Sequence, residues 1–145
     1  MFTQFANLDD IHEIEKCGKI SLPIYYTSEL LKALFSELNI IILKNVIKNK
    51  FTGFLIARVH MDHIHILSIA VFPEYRKQGI ATDLINAIKS MYKIKMIILQ
   101  VQVSNIHALK LYIKLNFILN KYMKYYYSDL DCNDAYEMIY HNKID

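Results

Sequence analysis

Ile64-His65-Ile66-Leu67-Ser68-Ile69-Ala70-Val71-Phe72, then Pro73-Glu74-Tyr75, then Arg76-Lys77-Gln78-Gly79-Ile80-Ala81, is the stretch from which the fold can be read. Ile64 to Phe72 is a nearly unbroken apolar run, the pattern of a buried strand, and the proline that follows interrupts it. Beyond the interruption Ala81, Leu84, Ile85, Ala87, Ile88 and Met91 recur at helical spacing. The junction between them holds one of the chain's two arginines, Arg76, and one of its three glycines, Gly79. Backbone N–H groups in the first turn of the helix have no intrahelical acceptor and point back into this loop. Together with the helix dipole they bind anions. Small residues at Gly79 and Ala81 leave those amides uncovered, so a phosphate or pyrophosphate can approach. There is no Gly-Lys-Ser/Thr for a Walker loop and no Gly-x-Gly-x-x-Gly for a dinucleotide-binding turn. Taken alone, the pattern is also that of an ordinary β-α connection.

A second block has the same grammar. Ile97 to Val103 alternates apolar residues with Gln100 and Gln102, as a strand does, and Ser104-Asn105 offers side-chain oxygens to cap a helix. In that helix Ala108, Leu111, Tyr112 and Leu115 form one apolar stripe, with Lys110 and Lys114 on the wet face. Asn116 ends it, because asparagine tolerates the left-handed conformation that glycine usually supplies there.

The remainder of the chain fits one domain, residues 1–145, with a core large enough to need no staples. Hydrophobic residues make up 54% of the sequence, yet no apolar run approaches the span of a bilayer, so no membrane segment is expected. Met1 to Asp10 lacks a basic region followed by an apolar stretch, so no secretory signal is expected and the cytoplasm is the default location, with the nucleus as an alternative. Cys17 and Cys132 stand far apart in no metal-ligand spacing and read as reduced thiols. The net charge of +3 is spread along the chain and gives no nucleic-acid surface. His60, Asp62, His63 and His65 invite a zinc reading, but strand alternation puts only His63 and His65 on one face, and no metal is expected.

Coarse patterning predicts a helix around Asp10 to Cys17, a turn-like Leu22-Pro23-Ile24-Tyr25-Tyr26, and a second helix from Ser28 to Phe35. Asn39 to Val46 and Phe51 to His60 read as a hairpin, with Ile64 to Phe72 as the next strand. After the two helices already described, Ile118 to Tyr127 and Ala135 to Tyr140 are strand candidates. The order is helix, helix, three antiparallel strands, helix, strand, helix, two strands.

In this order the Arg76 loop resembles motif A of the GNAT superfamily of N-acetyltransferases, a strand ending in a basic-x-x-Gly-x-Gly/Ala loop. The run Asn105-x-x-Ala108-x-x-Leu111-Tyr112-x-Lys114-x-x-Phe117 resembles that superfamily's motif B, with Asn116 in place of its usual glycine. The resemblance implies an α/β GNAT fold: a mixed, mostly antiparallel central sheet, helices on both faces, and strands splayed apart at an acetyl-coenzyme A site. It implies that the pyrophosphate lies on the loop of Arg76, Lys77, Gln78, Gly79, Ile80, Ala81 and Thr82. The pantetheine arm would follow the backbone of Ile69, Ala70 and Val71 and meet Asn105, with Ala108, Tyr112 and Lys114 contributing from the second helix.

The segments outside these motifs resemble the NatE-type catalytic subunit, a protein amino-terminal acetyltransferase. Leu22-Pro23-Ile24-Tyr25-Tyr26 is similar to its Phe-Pro-Val-x-Tyr segment, Gly53 through Arg58-Val59 to its glycine-initiated strand, and Tyr126-Tyr127 followed by Asp134-Ala135 to its tyrosine pair. This implies a peptide or protein amino terminus, methionine-initiated, as substrate, and a larger ribosome-associated amino-terminal acetyltransferase complex as partner. Leu22, Pro23, Ile24 and Tyr26 would line one wall of the substrate groove, Tyr126 and Tyr127 the other, and Leu67 would touch the first side chain. In that family a tyrosine and a histidine relay the proton; here His65 and Gln100 stand at those positions. Glutamine cannot act as a base, so His65 becomes the candidate base and Tyr112 the candidate acid for the leaving thiolate. An α-amine with a pKa near 8 needs only a weak base, whereas lysine at about 10.4 needs more. Rival readings are an acetyltransferase for a small amine such as a polyamine or aminosugar, a lysine acetyltransferase, for which no carboxylate base is evident, and a non-catalytic acetyl-coenzyme A-binding module.

Overall fold

The computed structural model describes residues 1–92, 96–127 and 133–142. In chain order the elements are β1 (Phe2–Phe5), α1 (Ile11–Ser21), α2 (Ser28–Phe35), β2 (Ile40–Ile47), β3 (Lys50–Val59), β4 (Ile64–Val71), α3 (Ile80–Met91), β5 (Met96–Gln102), α4 (Ile106–Lys114), β6 (Ile118–Met123) and β7 (Ala135–His141). The strands form one sheet in the order β1-β2-β3-β4-β5-β7-β6. Every neighbouring pair is antiparallel except β4 and β5, which the α3 crossover makes parallel.

Strand alternation divides the apolar residues between two helical layers. On one face Leu84, Ile85 and Ile88 of α3 and Tyr112 of α4 pack on Leu43, Leu55, Ile64, Ile66 and Leu99. On the other, Ile11, Ile14 and Cys17 of α1 with Leu31 and Leu34 of α2 pack on Ile42, Phe54, Ile56 and Ala70. Each fully buried Leu or Ile contributes roughly 1.5–3 kcal/mol relative to exposure. The Cys17 thiol is buried in this second layer, and burial pushes its pKa up to about 12. Cys132, expected to be a second reduced thiol, lies outside the described residues.

The β2–β3 hairpin closes on Lys48 and Asn49, both with positive φ (50° and 63°), the two-residue turn whose twist suits antiparallel strands. Gly53 allows close approach: a Cβ there would lie 2.7 Å from the carbonyl oxygen of Ala70. Two expectations need correction. A strand at Phe2–Phe5 precedes the first helix. Its phenylalanines are exposed, so no apolar pattern announced it; it is held instead by pairing with β2 and by the Thr3 hydroxyl, which donates to Asp83 Oδ2 at 2.6 Å. At the other end β6 stops at Met123, because the chain turns at Tyr125, which has φ 57°. Tyr126 and Tyr127 therefore lie in the turn beyond β6 and not on a strand.

Candidate active site

The one parallel pairing is short. β4 and β5 are in register only at Ile64 with Ile97 and His65 with Ile98, and beyond His65 they separate. Phe72 donates its amide to the carbonyl of Thr52 at 2.9 Å, so alternation turns the backbone groups of Val71 and Ile69 away from β3 and into the opening. The Val71 carbonyl is already engaged, by Nε of Arg76 at 3.2 Å and by the Ser21 hydroxyl at 3.3 Å. Arg76 thus braces the end of β4.

Past the short turn at Pro73–Tyr75 the chain reaches α3 through residues of positive φ, Lys77 at 62° and Gly79 at 79°. Gly79 is the N-cap of α3. Among the described residues, none of the amides from Lys77 to Thr82 donates to a backbone carbonyl; the first helical bond runs from Asp83 to Gly79. A Cβ at Gly79 would meet nothing within 4 Å, so the space beside this residue is open. The glycine is needed first for its left-handed backbone and only then for access. Arg76, Lys77 and Gln78 are exposed around it, Ala81 and Thr82 are half-buried, and Ile80 turns into the core.

Asn105 is spent on structure: its Oδ1 accepts from the amide of Ala108 at 3.2 Å and caps α4. Ala108 is half-buried and Lys114 is exposed in the last turn. Tyr112 is 7% exposed and packs on Phe117 with ring centroids 5.8 Å apart. Burial, with the nearby Tyr127 phenol, raises its pKa well above that of an ordinary tyrosine.

His65 and Gln100, far apart in sequence, are brought together. The Nε2 of His65 and the Oε1 of Gln100 are 2.5 Å apart at the point where the strands part. The chain of polar groups continues: Gln100 Nε2 donates to Oε1 of Glu137 at 3.4 Å, and Asn120 Nδ2 donates to Oε2 of the same carboxylate at 2.8 Å. Gln100 and Glu137 are cross-strand partners, and Asn120 is the extra residue of a bulge between Leu119 and Lys121. Sequence reasoning missed Glu137 and had found no carboxylate near this point. The available signal was a lone charge in the middle of the strand Ala135–His141.

Leu22, Tyr26 and Leu67 gather on the α1/α2 face of the sheet, while Pro23 and Ile24 are exposed. Glu15 of α1 holds the segment between the helices by accepting from the Ser28 amide at 2.7 Å and its hydroxyl at 3.0 Å. The rings of Tyr126 and Tyr127 meet edge to face at 4.9 Å. Asp134 fixes their turn, accepting from the Tyr125 amide at 3.0 Å and from the Tyr122 hydroxyl, and these bonds hold its carboxyl below the usual range. Burial raises the pKa of Tyr26, which Arg58 pulls down and Tyr126 pushes up; burial and Glu137 raise that of Tyr126. Arg58, cross-strand from His65, pairs with Glu37 at 2.9 Å. His60 and His63 stack at 4.3 Å, and His63 contacts Asp62 at 2.7 Å. No group of three metal-ligating side chains occurs among the described residues.

A strand-loop-helix turn with unpaired amides and a parallel strand pair that splays beside it are features of one class. The chain matches the acetyltransferase (GNAT) family over residues 8–117, and it belongs to that family. It is 36% identical to an N-alpha-acetyltransferase of Saccharolobus solfataricus over 92% of this chain and 88% of that one. It is 29% identical to the N-terminal acetyltransferase A complex catalytic subunit NAA10 of Arabidopsis thaliana, over 92% of this chain and 73% of that one. In fold it is similar to the ribosomal-protein-S18-alanine N-acetyltransferase of Escherichia coli, with a TM-score of 0.89 at 20% identity, covering 99% and 94% of the two chains. The α/β GNAT architecture expected from the two motifs is the one observed.

Proposed function

We propose that this chain transfers the acetyl group of acetyl-coenzyme A to the α-amino group of protein amino termini. The observation that carries this reading is the position of His65. It is the last residue of β4 paired with β5, so it stands where the strands part, two residues from Leu67, which packs with Leu22 and Tyr26. The unpaired amides and open space at Gly79 suit a pyrophosphate, and the backbone of Ile69 and the amide of Val71 suit an extended amide-bearing arm lying as an added strand. The bound cosubstrate supplies an activated acyl thioester. The protein orients the amine, excludes water with its aromatic walls, and removes a proton. An α-ammonium with a pKa near 8 gives that proton up to a neutral imidazole readily, which makes His65 a sufficient base. Tyr112, buried with a raised pKa, is a poor acid at rest and serves first as packing.

Apolar and aromatic walls support a methionine-initiated terminus, and the name of the Arabidopsis relative, a catalytic subunit of an N-terminal acetyltransferase A complex, supports work within a larger complex; association of that complex with the ribosome and a cytoplasmic location belong to the same proposal. Glu137 supplies the carboxylate that the lysine reading had lacked, so the ε-amine is the alternative to measure. A peptide library incubated with acetyl-coenzyme A, read by mass spectrometry for α- and ε-acetyl products, tests both. Acetylation confined to free amino termini is expected, strongest on Met-initiated peptides; dominant acetylation of internal lysine with the terminus blocked overturns the proposal.

A further inference from the structure

The four-residue polar chain has a direction. An ionised carboxylate only accepts hydrogen bonds, so both amides that touch Glu137 must turn their NH2 groups toward it. For Gln100 this leaves one orientation, with Nε2 toward Glu137 and Oε1 toward His65. A carbonyl oxygen likewise only accepts, so the ring nitrogen 2.5 Å from it, Nε2, must carry the hydrogen. Asn120, the exposed bulge residue of β6, donates to the second carboxylate oxygen and so gives Glu137 a second anchor.

We propose that Glu137 is a positioning residue that, through Gln100, locks His65 in its Nε2–H tautomer and so makes Nδ1 the nitrogen that takes the proton from the substrate amine. The proposal rests on the base role given to His65 above and adds which atom acts and what sets it. In the step, an N–H bond of the substrate ammonium breaks, directly or through one water, and its electron pair stays on the amine nitrogen. A new N–H bond forms at Nδ1, and the imidazolium keeps donating from Nε2 to Gln100 until Nδ1 returns its proton to water. Glutamine at position 100 thus takes no part as a base. It transmits the polarity of a carboxylate one strand further away, across β5 from β7. The charged or titratable groups on the neighbouring element are Arg58 on β3, cross-strand from His65 and paired with Glu37, and His60 and His63 in the β3–β4 turn; the Tyr26 and Tyr126 phenols belong to the adjoining walls.

Long-range proton-nitrogen NMR of the full chain labelled on histidine nitrogen reads the tautomer directly, without acetyl-coenzyme A. The six histidines are separated by the loss of one ring signal in His65→Ala. In the neutral ring of the wild type, Nε2 should carry the hydrogen and Nδ1 should show the unprotonated shift. In Glu137→Gln, whose amide can donate or accept, and in Glu137→Ala, Gln100 is free to reverse and the Nδ1–H form should appear. Turnover should then fall roughly two- to tenfold, spanning equal populations to a nine-in-ten shift. Peptide KM and thermal midpoint should be unchanged in Glu137→Gln. A wild-type ring protonated on Nδ1, or a tautomer unchanged in both variants, overturns the proposal even if His65→Ala is inactive. If instead the variants move the tautomer while His65→Ala keeps full activity, the lock stands and the base role fails.

Discussion

The proposed cofactor side and the proposed acceptor side of the site are built differently. The anion cradle is local: Arg76 to Thr82 lie within one turn of chain, and the end of β4 that feeds it is braced by Arg76 itself. The acceptor side is assembled from α1–α2, β4, β5, β6, β7 and the turn at Tyr125, with no two of His65, Gln100, Asn120 and Glu137 closer than 17 residues in sequence. A local site tolerates change elsewhere and is sensitive to one backbone conformation. A distributed site depends on register, since a slip of one residue would turn Gln100 or Glu137 to the opposite face of the sheet.

The sharpest way to break this comparison is at His65. His65→Ala should lower turnover by roughly a hundredfold, the usual contribution of a positioned base, while leaving coenzyme A affinity unchanged, as measured by steady-state kinetics and calorimetry. Equal turnover in the variant would mean that the two sides of the cleft do not meet at this residue. Next in size, Gly79→Glu should weaken coenzyme A binding roughly ten- to hundredfold by placing a like charge over the amides. Gly79→Ala meets no atom within 4 Å and should instead cost stability, about 1–2 kcal/mol for a left-handed backbone, with a much smaller loss of affinity. If alanine and glutamate weakened binding equally, backbone strain and not an anion site would explain the glycine.

The smallest effect is expected at Asp134, which touches neither reacting group. Asp134→Ala should raise peptide KM roughly two- to fivefold by loosening the Tyr126–Tyr127 turn, without altering affinity for coenzyme A. Its hydrogen bonds to Tyr122 and Tyr125 lower its pKa, so the folded state favours the carboxylate. The hold on the turn is therefore complete above the ordinary carboxylate range and is lost as pH falls through the lowered folded value. Peptide KM measured toward acid should rise more steeply in the wild type than in the variant.

Much of the fold was legible because its elements advertise themselves by period. β4, α3, β5 and α4 came within a residue or two of their observed bounds, and Asn116 ends α4 with φ 70° as its type suggested. β1 was not legible: with Phe2 and Phe5 exposed it buries little, and its place depends on partners 38 to 44 residues away. Of the candidate site, the Gly79 loop could be read from pattern, whereas His65 and Gln100 were singled out only through the resemblance to the NatE-type subunit; the structure brings these two side chains together. Glu137 could not, since a glutamate on a strand reads as a solvent-facing residue until a neighbouring strand supplies its donor.

The sequence by itself determined the order of elements, the capped α4, and a strand-loop-helix turn fit for an anion, because periodicity, capping and backbone conformation are properties of neighbouring residues. Only the tertiary structure decided that β4 and β5 separate just after His65, that the bulge residue Asn120 of β6 reaches Glu137, and that a carboxylate two strands from His65 meets the amide beside it. Those outcomes depend on register between distant strands, which is set by how both faces of the sheet are buried at once.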